Sequence, residues 1–393
     1  MTKKTETSAC GFVPKEKETS ACAFVPKEKE MSACGFVPKT HAKGHSHVPE
    51  AHDGQDWSHG NRVGGYHNSE QAIPGDTWFN TPFAGGREVI GATIPISLPE
   101  SSGGEQELPV EAGRYRLIWT PLCPWATRLK IVLSLLGISG DVVSVGTADP
   151  VKTADGWKFT LDPGGKDPVL GISSLHEIYE KTAPGEGWND TVPVLVDVRE
   201  GRVVNNDYHH LPNYFETVWK PFWRPGAPDL YPAGLRTQID RLNRILFNDV
   251  TNRVYLAGYA ATQAEYEHSY DIFFKRLDAL ENYLGRHRFL LGNRLTDADV
   301  RLYVTLSRLD AAYYFAFRLN KQRLRDYDNL WNYAKELYSI PAFREATDFE
   351  AIKRGYFLGD SAPNPWRIVP YGPDESVWTE PNNRAEKFGP LEV

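Results

Sequence analysis

"LIWTPLCPWATRLKIVLSLLG", residues 117 to 137, passes from a strand-like apolar run through Cys-Pro-Trp-Ala into a helix-like pattern. Pro124 suits the first helical position, where its missing N–H costs nothing, and Gly137 closes the pattern. Cys123 is thereby placed at the N-cap. A sulfur there faces unpaired backbone N–H groups and the positive end of the helix dipole, and both favour thiolate over thiol. Such a thiolate is a nucleophile at neutral pH. The ordinary alternative for a lone cysteine is a small buried hydrophobe. Position 126 is Ala, so the Cys-x-x-Cys spacing is missing and a mixed disulfide on Cys123 would need an external thiol to resolve it.

Outward from this stretch, regular alternation begins near Tyr115. "YRLIW" reads as a buried strand, "DVVSVGT" (141–147) as a second, and "TVPVLVDVREGRVVNND" (191–207) as a hairpin about Arg-Glu-Gly. Pro193 interrupts its strand pattern, which suits a tight or cis geometry. Strand, helix, strand, hairpin is the order of a thioredoxin-like domain. After the Pro/Gly-rich "RPGAPDLYP" (224–232) the pattern turns helical until about Phe349. "TQAEYEHSYDIFFKRLDALENYLG" (262–285) carries apolar residues at three-and-four spacing, and Thr296-Asp297-Ala298-Asp299 opens a further helix as a capping box does. The expected class is α/β plus all-α. The expected boundaries are an arm over 1–54, an irregular extension over 55–112, a thioredoxin-like domain over 113–225, a helical domain over 226–350 and a C-terminal tail over 351–393.

The arm repeats at a period of twelve: "ETSACGFVPKEK" from Glu6, "ETSACAFVPKEK" from Glu18 and "EMSACGFVPKTH" from Glu30, with Cys10, Cys22 and Cys34 in register. Units this short bury too little to stand alone, so a disordered arm is expected, with a multivalent peptide or a thiol-reactive arm as alternatives. The following His41, His45, His47 and His52 match no closed metal site; a flexible tail is expected there, with weak transition-metal binding as the alternative, and no metal is required. The chain has 393 residues, four cysteines and a net charge of −7, and no apolar run long enough to span a bilayer. No nucleic-acid footprint, membrane or secretory signal is expected, and the low cysteine content points to a reducing, cytoplasmic setting.

Six separated stretches then fall in one order: "VEAGRYRLIWTPLCPWATR" (110–128), "DGWKF" (155–159), "TVPVLVD" (191–197), "VYLAGYAATQ" (254–263), "LTDADVRLYVTL" (295–306) and "FEAIKRGYF" (349–357). Together they resemble the glutathionyl-hydroquinone reductases, the Xi-class glutathione transferases, over roughly residues 75 to 370. The resemblance implies a thioredoxin-like domain followed by a helical glutathione-transferase-type domain, and a homodimer. It implies that Cys123 attacks the sulfur of a glutathione–hydroquinone thioether and is freed by a second thiol. Tyr255 and Tyr356 would hold and protonate the aromatic product. Trp157, the Val192 backbone, Asp207 and Tyr208 would meet the thiol, Val192 by pairing strand-like with an extended peptide.

The resemblance breaks at three places. The family usually has Glu-Ser where this chain has Asp207 and Tyr208, often Arg where it has Asn189, and His where it has Thr127. Pro212 also suits a first helical residue better than an interior one, so the helix there is expected to start late. The nucleophile is kept while the grip on glutathione is altered. The thiol co-substrate is therefore glutathione or another low-molecular-weight thiol such as mycothiol. "RPGAPDLYP" resembles the actinobacterial-type branch. Two other functions remain open: a conjugating glutathione transferase-like enzyme, and a non-catalytic thioredoxin-fold binding module.

Overall fold

The computed structural model describes residues 108–185, 190–359 and 364–391. The twelve-residue repeats, the His-rich stretch and Asn189 lie outside the described residues.

Among the described residues four strands form one sheet: β1 (Tyr115–Trp119), β2 (Val143–Thr147), β3 (Val194–Asp197) and β4 (Arg202–Asn205), in the order β2-β1-β3-β4. β1 pairs with β2 in parallel, Tyr115 opposite Val143, and with β3 antiparallel, Ile118 opposite Val194. Every residue of β1 is buried, so it reads as a continuous apolar run rather than an alternating one. Its one charge, Arg116, is buried against Asp167 at 2.7 Å. The crossover between the parallel strands is α1 (Pro124–Leu136). Gly137 ends it at φ 68°, where Gly137 and Ile138 N–H groups meet the Ser134 and Leu133 carbonyls. α2 (Leu175–Thr182) precedes the β3–β4 hairpin, and the Val192–Pro193 bond is cis. α3 (Leu211–Phe215) has Pro212 in its first turn, where a proline is tolerated.

The remainder is helical: α4 (Arg236–Leu246), α5 (Arg253–Gly258), α6 (Gln263–Leu284), α7 (Asp297–Arg308), α8 (Tyr314–Ala316), α9 (Asp328–Ser339), α10 (Pro341–Arg344), α11 (Phe349–Leu358) and α12 (Arg384–Phe388). π-helical turns join α4 to α5 (Phe247–Thr251) and α7 to α8 (Leu309–Tyr313). The Thr296 cap is built by Asp299, whose carboxylate accepts from the Thr296 N–H at 2.9 Å and the Thr296 hydroxyl at 3.0 Å. The same carboxylate accepts from the Leu290 N–H and the Tyr333 hydroxyl, tying two further segments to the start of α7. None of the described helices is long and apolar enough to cross a membrane.

Two features differ from the reading of the sequence. The boundary at 350 falls inside α11, so the helical bundle continues through Leu358. Beyond it, the expected irregular tail is docked. Trp378 is buried among Tyr303, Trp331, Tyr338 and Phe349, and fully buried Arg384 donates to the Leu284, His287 and Arg288 carbonyls. Prolines suppressed the helical signal there, but Trp378 and Arg384, the first residue of α12, anchor the segment to the bundle.

α1 packs against β1 on one side and against α3, α7 and α10 on the other. The β1–α1 turn therefore sits where the sheet meets the bundle. α11 reaches the same turn because Gly355 has no side chain: a Cβ there would come within 2.6 Å of both Leu122 Cδ1 and the Pro150 carbonyl.

Candidate active site

Cys123 occupies the N-cap of α1, with φ −77° and ψ 116°, and is fully buried. Its backbone N–H donates to the Thr120 carbonyl, and its carbonyl accepts the Thr127 N–H and the Thr127 hydroxyl, both at 2.9 Å. The side chain departs from the expected arrangement. It makes no capping bond to α1; instead the thiol donates to the Val192 carbonyl at 3.4 Å. The helix end still lies beside it, but the strand-side carbonyl holds the proton. Val192 is thus brought to Cys123 by the β1–β3 pairing, 69 residues along the chain.

The two expected tyrosines meet. Tyr255 on α5 and Tyr356 on α11 share a hydrogen bond of 2.7 Å between their hydroxyls. A third phenol, Tyr313 in the π-helical turn after α7, lies 3.1 Å from Tyr356 and 3.5 Å from Tyr255. Sequence reasoning missed Tyr313. Among 19 tyrosines nothing in its spacing marks it, and the extra residue of a π-turn, which sets its direction, leaves no compositional sign. Phe317 packs on all three rings at centroid distances of 5.2–5.6 Å. Trp125 links this group to the cysteine turn, since its ring lies 5.9 Å from that of Tyr255.

The expected thiol-side residues divide. Trp157 is fully buried. Its backbone N–H donates to Asp190, the Lys152 ammonium sits 5.5 Å from its ring, and its indole N–H has no partner among the described residues. Tyr208 stacks on Trp125 at 5.3 Å, and its carbonyl accepts from Arg128 at 2.7 Å. The Asp207 carboxylate, expected to face the thiol's amine, is engaged by its own loop. It accepts from the His209 N–H at 2.9 Å and the His210 N–H at 3.3 Å, and lies 2.6 Å from His210 Nδ1. The corner is held from the bundle by Arg301, which pairs with Asp297 at 2.6 Å and donates to the His209 carbonyl at 2.8 Å. Burial pushes the His209 pKa well down, so that ring is neutral.

Burial alone would raise the Asp207 pKa, but the hydrogen bond and charge of His210 outweigh it and hold the group at about 2. A depressed carboxylate stabilises the fold above its unfolded pKa of about 4, and the contribution fades as pH falls towards 2. We expect Asp207→Asn to lose about 2 kcal/mol at pH 7, with the deficit shrinking between pH 4 and 2. Denaturant unfolding at each pH checks this. An undiminished stability together with a raised KM for the thiol would return Asp207 to the binding role.

Residues 263–336 match the family model for the glutathione S-transferase C-terminal domain. The glutathionyl-hydroquinone reductase YqjG of Escherichia coli is 34% identical over 321 residues, covering 80% of this chain and 97% of that protein. Its glutathione-bound structure aligns with a TM-score of 0.68, over 73% of this chain and 93% of the other. A glutathione transferase from Gordonia bronchialis aligns at 44% identity and a TM-score of 0.70, covering 72% and 88%. A Xi-class glutathione transferase from Natrialba magadii aligns at 35% identity and 0.67, covering 72% and 86%. With its cysteine-headed helix, its Val192–Pro193 turn and its helical bundle, the chain belongs to the glutathionyl-hydroquinone reductases, the Xi class of glutathione transferases.

Proposed function

We propose that this protein is a thiol-dependent reductase of S-conjugated hydroquinones, with Cys123 as nucleophile and the tyrosine hydroxyls acting on the aromatic product. The observation that carries the reading is a cysteine at the N-cap position of α1 bonded to the Val192 strand backbone, with Trp125 linking its turn to a trio of phenols within 2.7–3.5 Å of one another.

In this reading a peptide-like thiol lies along the Val192 segment, and its amide takes the carbonyl that otherwise accepts the Cys123 proton. Cys123 loses that proton and its sulfur attacks the conjugate sulfur. An S–S bond forms and the S–C bond breaks, its electron pair passing to the aromatic ring. The ring carbon takes a proton and hydroquinone departs. A second thiol attacks the mixed disulfide and releases Cys123 with formation of the oxidised thiol dimer. Tyr255, Tyr313 and Tyr356 are suited to the ring oxygens because a phenol donates a hydrogen bond and offers an apolar face. The unpartnered indole N–H of Trp157 is a donor for the acceptor end of the thiol. The need for a second thiol fits a reducing, cytoplasmic setting.

Relatives support glutathione as the co-substrate, since the E. coli protein is known with it bound. A second reading, a thiol lacking the γ-glutamyl end such as mycothiol, draws on the engagement of Asp207 by His209 and His210 and on the bulk of Tyr208. The test is release of free hydroquinone from the glutathione conjugate of menadiol with excess glutathione, run beside the mycothiol conjugate with mycothiol. Turnover with glutathione is the expected result. Turnover with mycothiol alone would transfer the site to the second thiol, and silence with both would sink the reductase reading.

A further inference from the structure

Arg308, the last residue of α7, is fully buried and uses all five of its N–H groups. Nε donates to the Leu122 carbonyl at 3.0 Å, Nη2 to the Pro121 carbonyl at 2.8 Å and to the Thr127 hydroxyl at 2.9 Å. Nη1 donates to the Val304 carbonyl at 2.7 Å and the Ser307 hydroxyl at 3.3 Å. Three of these five acceptors belong to the turn that carries Cys123, and Thr127 passes its own proton to the Cys123 carbonyl. None is a carboxylate, and among the described residues Arg308 makes no ion pair.

That is unusual chemistry for an interior. Of the other fully buried arginines, Arg276 and Arg384 each have an acid, Asp249 and Glu336, while Arg128 donates to the Tyr208 carbonyl and lies over the Trp125 ring. Buried charges are ordinarily paired, because desolvating an isolated ion is costly. Other charged or titratable groups near the turn have described partners of their own. Arg128 donates to Tyr208, Lys152 to the Asp190 carbonyl, Asp190 accepts from Trp157, Asp149 accepts from Thr160, and the Tyr356 phenol bonds to its two neighbours. One anion would form in this neighbourhood during the reaction: the Cys123 thiolate.

We propose that Arg308 is the charge partner of the Cys123 thiolate, a positioning residue reaching from the helical bundle to switch on the nucleophile of the other layer. This rests on the reading of Cys123 as nucleophile. The guanidinium does two things at once: its fork fixes the Pro121 and Leu122 carbonyls before Cys123 and the Thr127 hydroxyl after it, and its uncompensated charge favours the ionised sulfur. The helix end contributes in the same direction, while the Val192 carbonyl, by accepting the thiol proton, opposes it.

The test is a pH titration of the ultraviolet thiolate absorbance of the full chain, with Cys123→Ser subtracted as background for the other three cysteines. The wild type is expected to titrate well below the free-thiol range of about 8.5. Arg308→Met should shift the inflection up by about one unit, a roughly tenfold loss of thiolate below it. Arg308→Lys, which keeps the charge and loses the fork, should titrate near wild type while melting earlier. If Arg308→Met does not fold, Ser307→Asp supplies the missing carboxylate with the fork intact and should shift the inflection the same way. A depressed wild-type value that neither neutralising variant moves would reduce Arg308 to a structural clamp. An ordinary free-thiol value in the wild type would instead sink the nucleophile reading beneath it.

Discussion

Replacing Cys123 by serine is expected to lower the turnover of a glutathionyl-hydroquinone by at least about 10³-fold with the fold intact. The structure supplies the reason for both halves. Serine is a favoured N-cap residue, and its hydroxyl can donate to the Val192 carbonyl as the thiol does, so the packing and the strand-side bond are preserved. What is lost is the ability to ionise near neutral pH and to form a disulfide. Wild-type protein given conjugate but no free thiol should accumulate a covalent adduct on Cys123, visible in the intact mass and reversed by reductant. Position 126 is alanine, and Cys123 is the one cysteine among the described residues, so no neighbouring thiol in this region clears the adduct. A Cys123→Ser protein that retained turnover within a few-fold would replace the reductase with a conjugating transferase, in which a phenol or hydroxyl activates the bound thiol.

How far the site could be read in advance depended on whether position along the chain or direction in space decides the role. Cys123 was legible because strand, proline and helix fix its place in sequence; no tertiary information is needed to find an N-cap. Val192 came from the resemblance, as the residue before the proline that marks this turn in the fold. Its carbonyl as the partner of the thiol was not legible, since only the β1–β3 register brings residues 123 and 192 together. Tyr255 and Tyr356 came from their motifs, whereas Tyr313 needed a π-turn to point it inward. Asp207 shows the opposite limit. Its residue type suggested a ligand-facing carboxylate; the structure shows that the two following histidine N–H groups also use it as a local cap, which the sequence did not signal. Arg308 carried no sequence signal, because an arginine closing an amphipathic helix ordinarily interacts with its own helix end. Only the packing of α7 on α1 turns that side chain into the cysteine turn.

The tyrosine trio should respond to single substitutions as a unit. Tyr356 is its hub, bonded at 2.7 Å to Tyr255 and 3.1 Å to Tyr313, and it rides on the helix that Gly355 lets approach Leu122. We expect Tyr356→Phe to lower kcat by about 10²-fold or more, the range for loss of a positioned proton donor. Tyr255→Phe should do nearly the same, since the 2.7 Å bond orients one hydroxyl by the other. Tyr313→Phe, at 3.1 and 3.5 Å, should cost less. The double change Tyr255→Phe/Tyr356→Phe should be little worse than either alone, because each single change already disables the pair. Removing one hydroxyl also strips a partner from the other two, at about 1–3 kcal/mol of stability. Rates must therefore be taken well below each variant's own melting temperature. The adduct on Cys123 separates proton delivery from thiol attack. If the phenols deliver the proton to the leaving ring, Tyr356→Phe slows adduct formation and hydroquinone release together, while attack of free thiol on a preformed mixed disulfide keeps its wild-type rate. If that second step slows equally, the hydroxyls shape the cysteine turn rather than serve the aromatic product. A kcat within a few-fold of wild type would make them packing residues and leave the ring to take its proton from water.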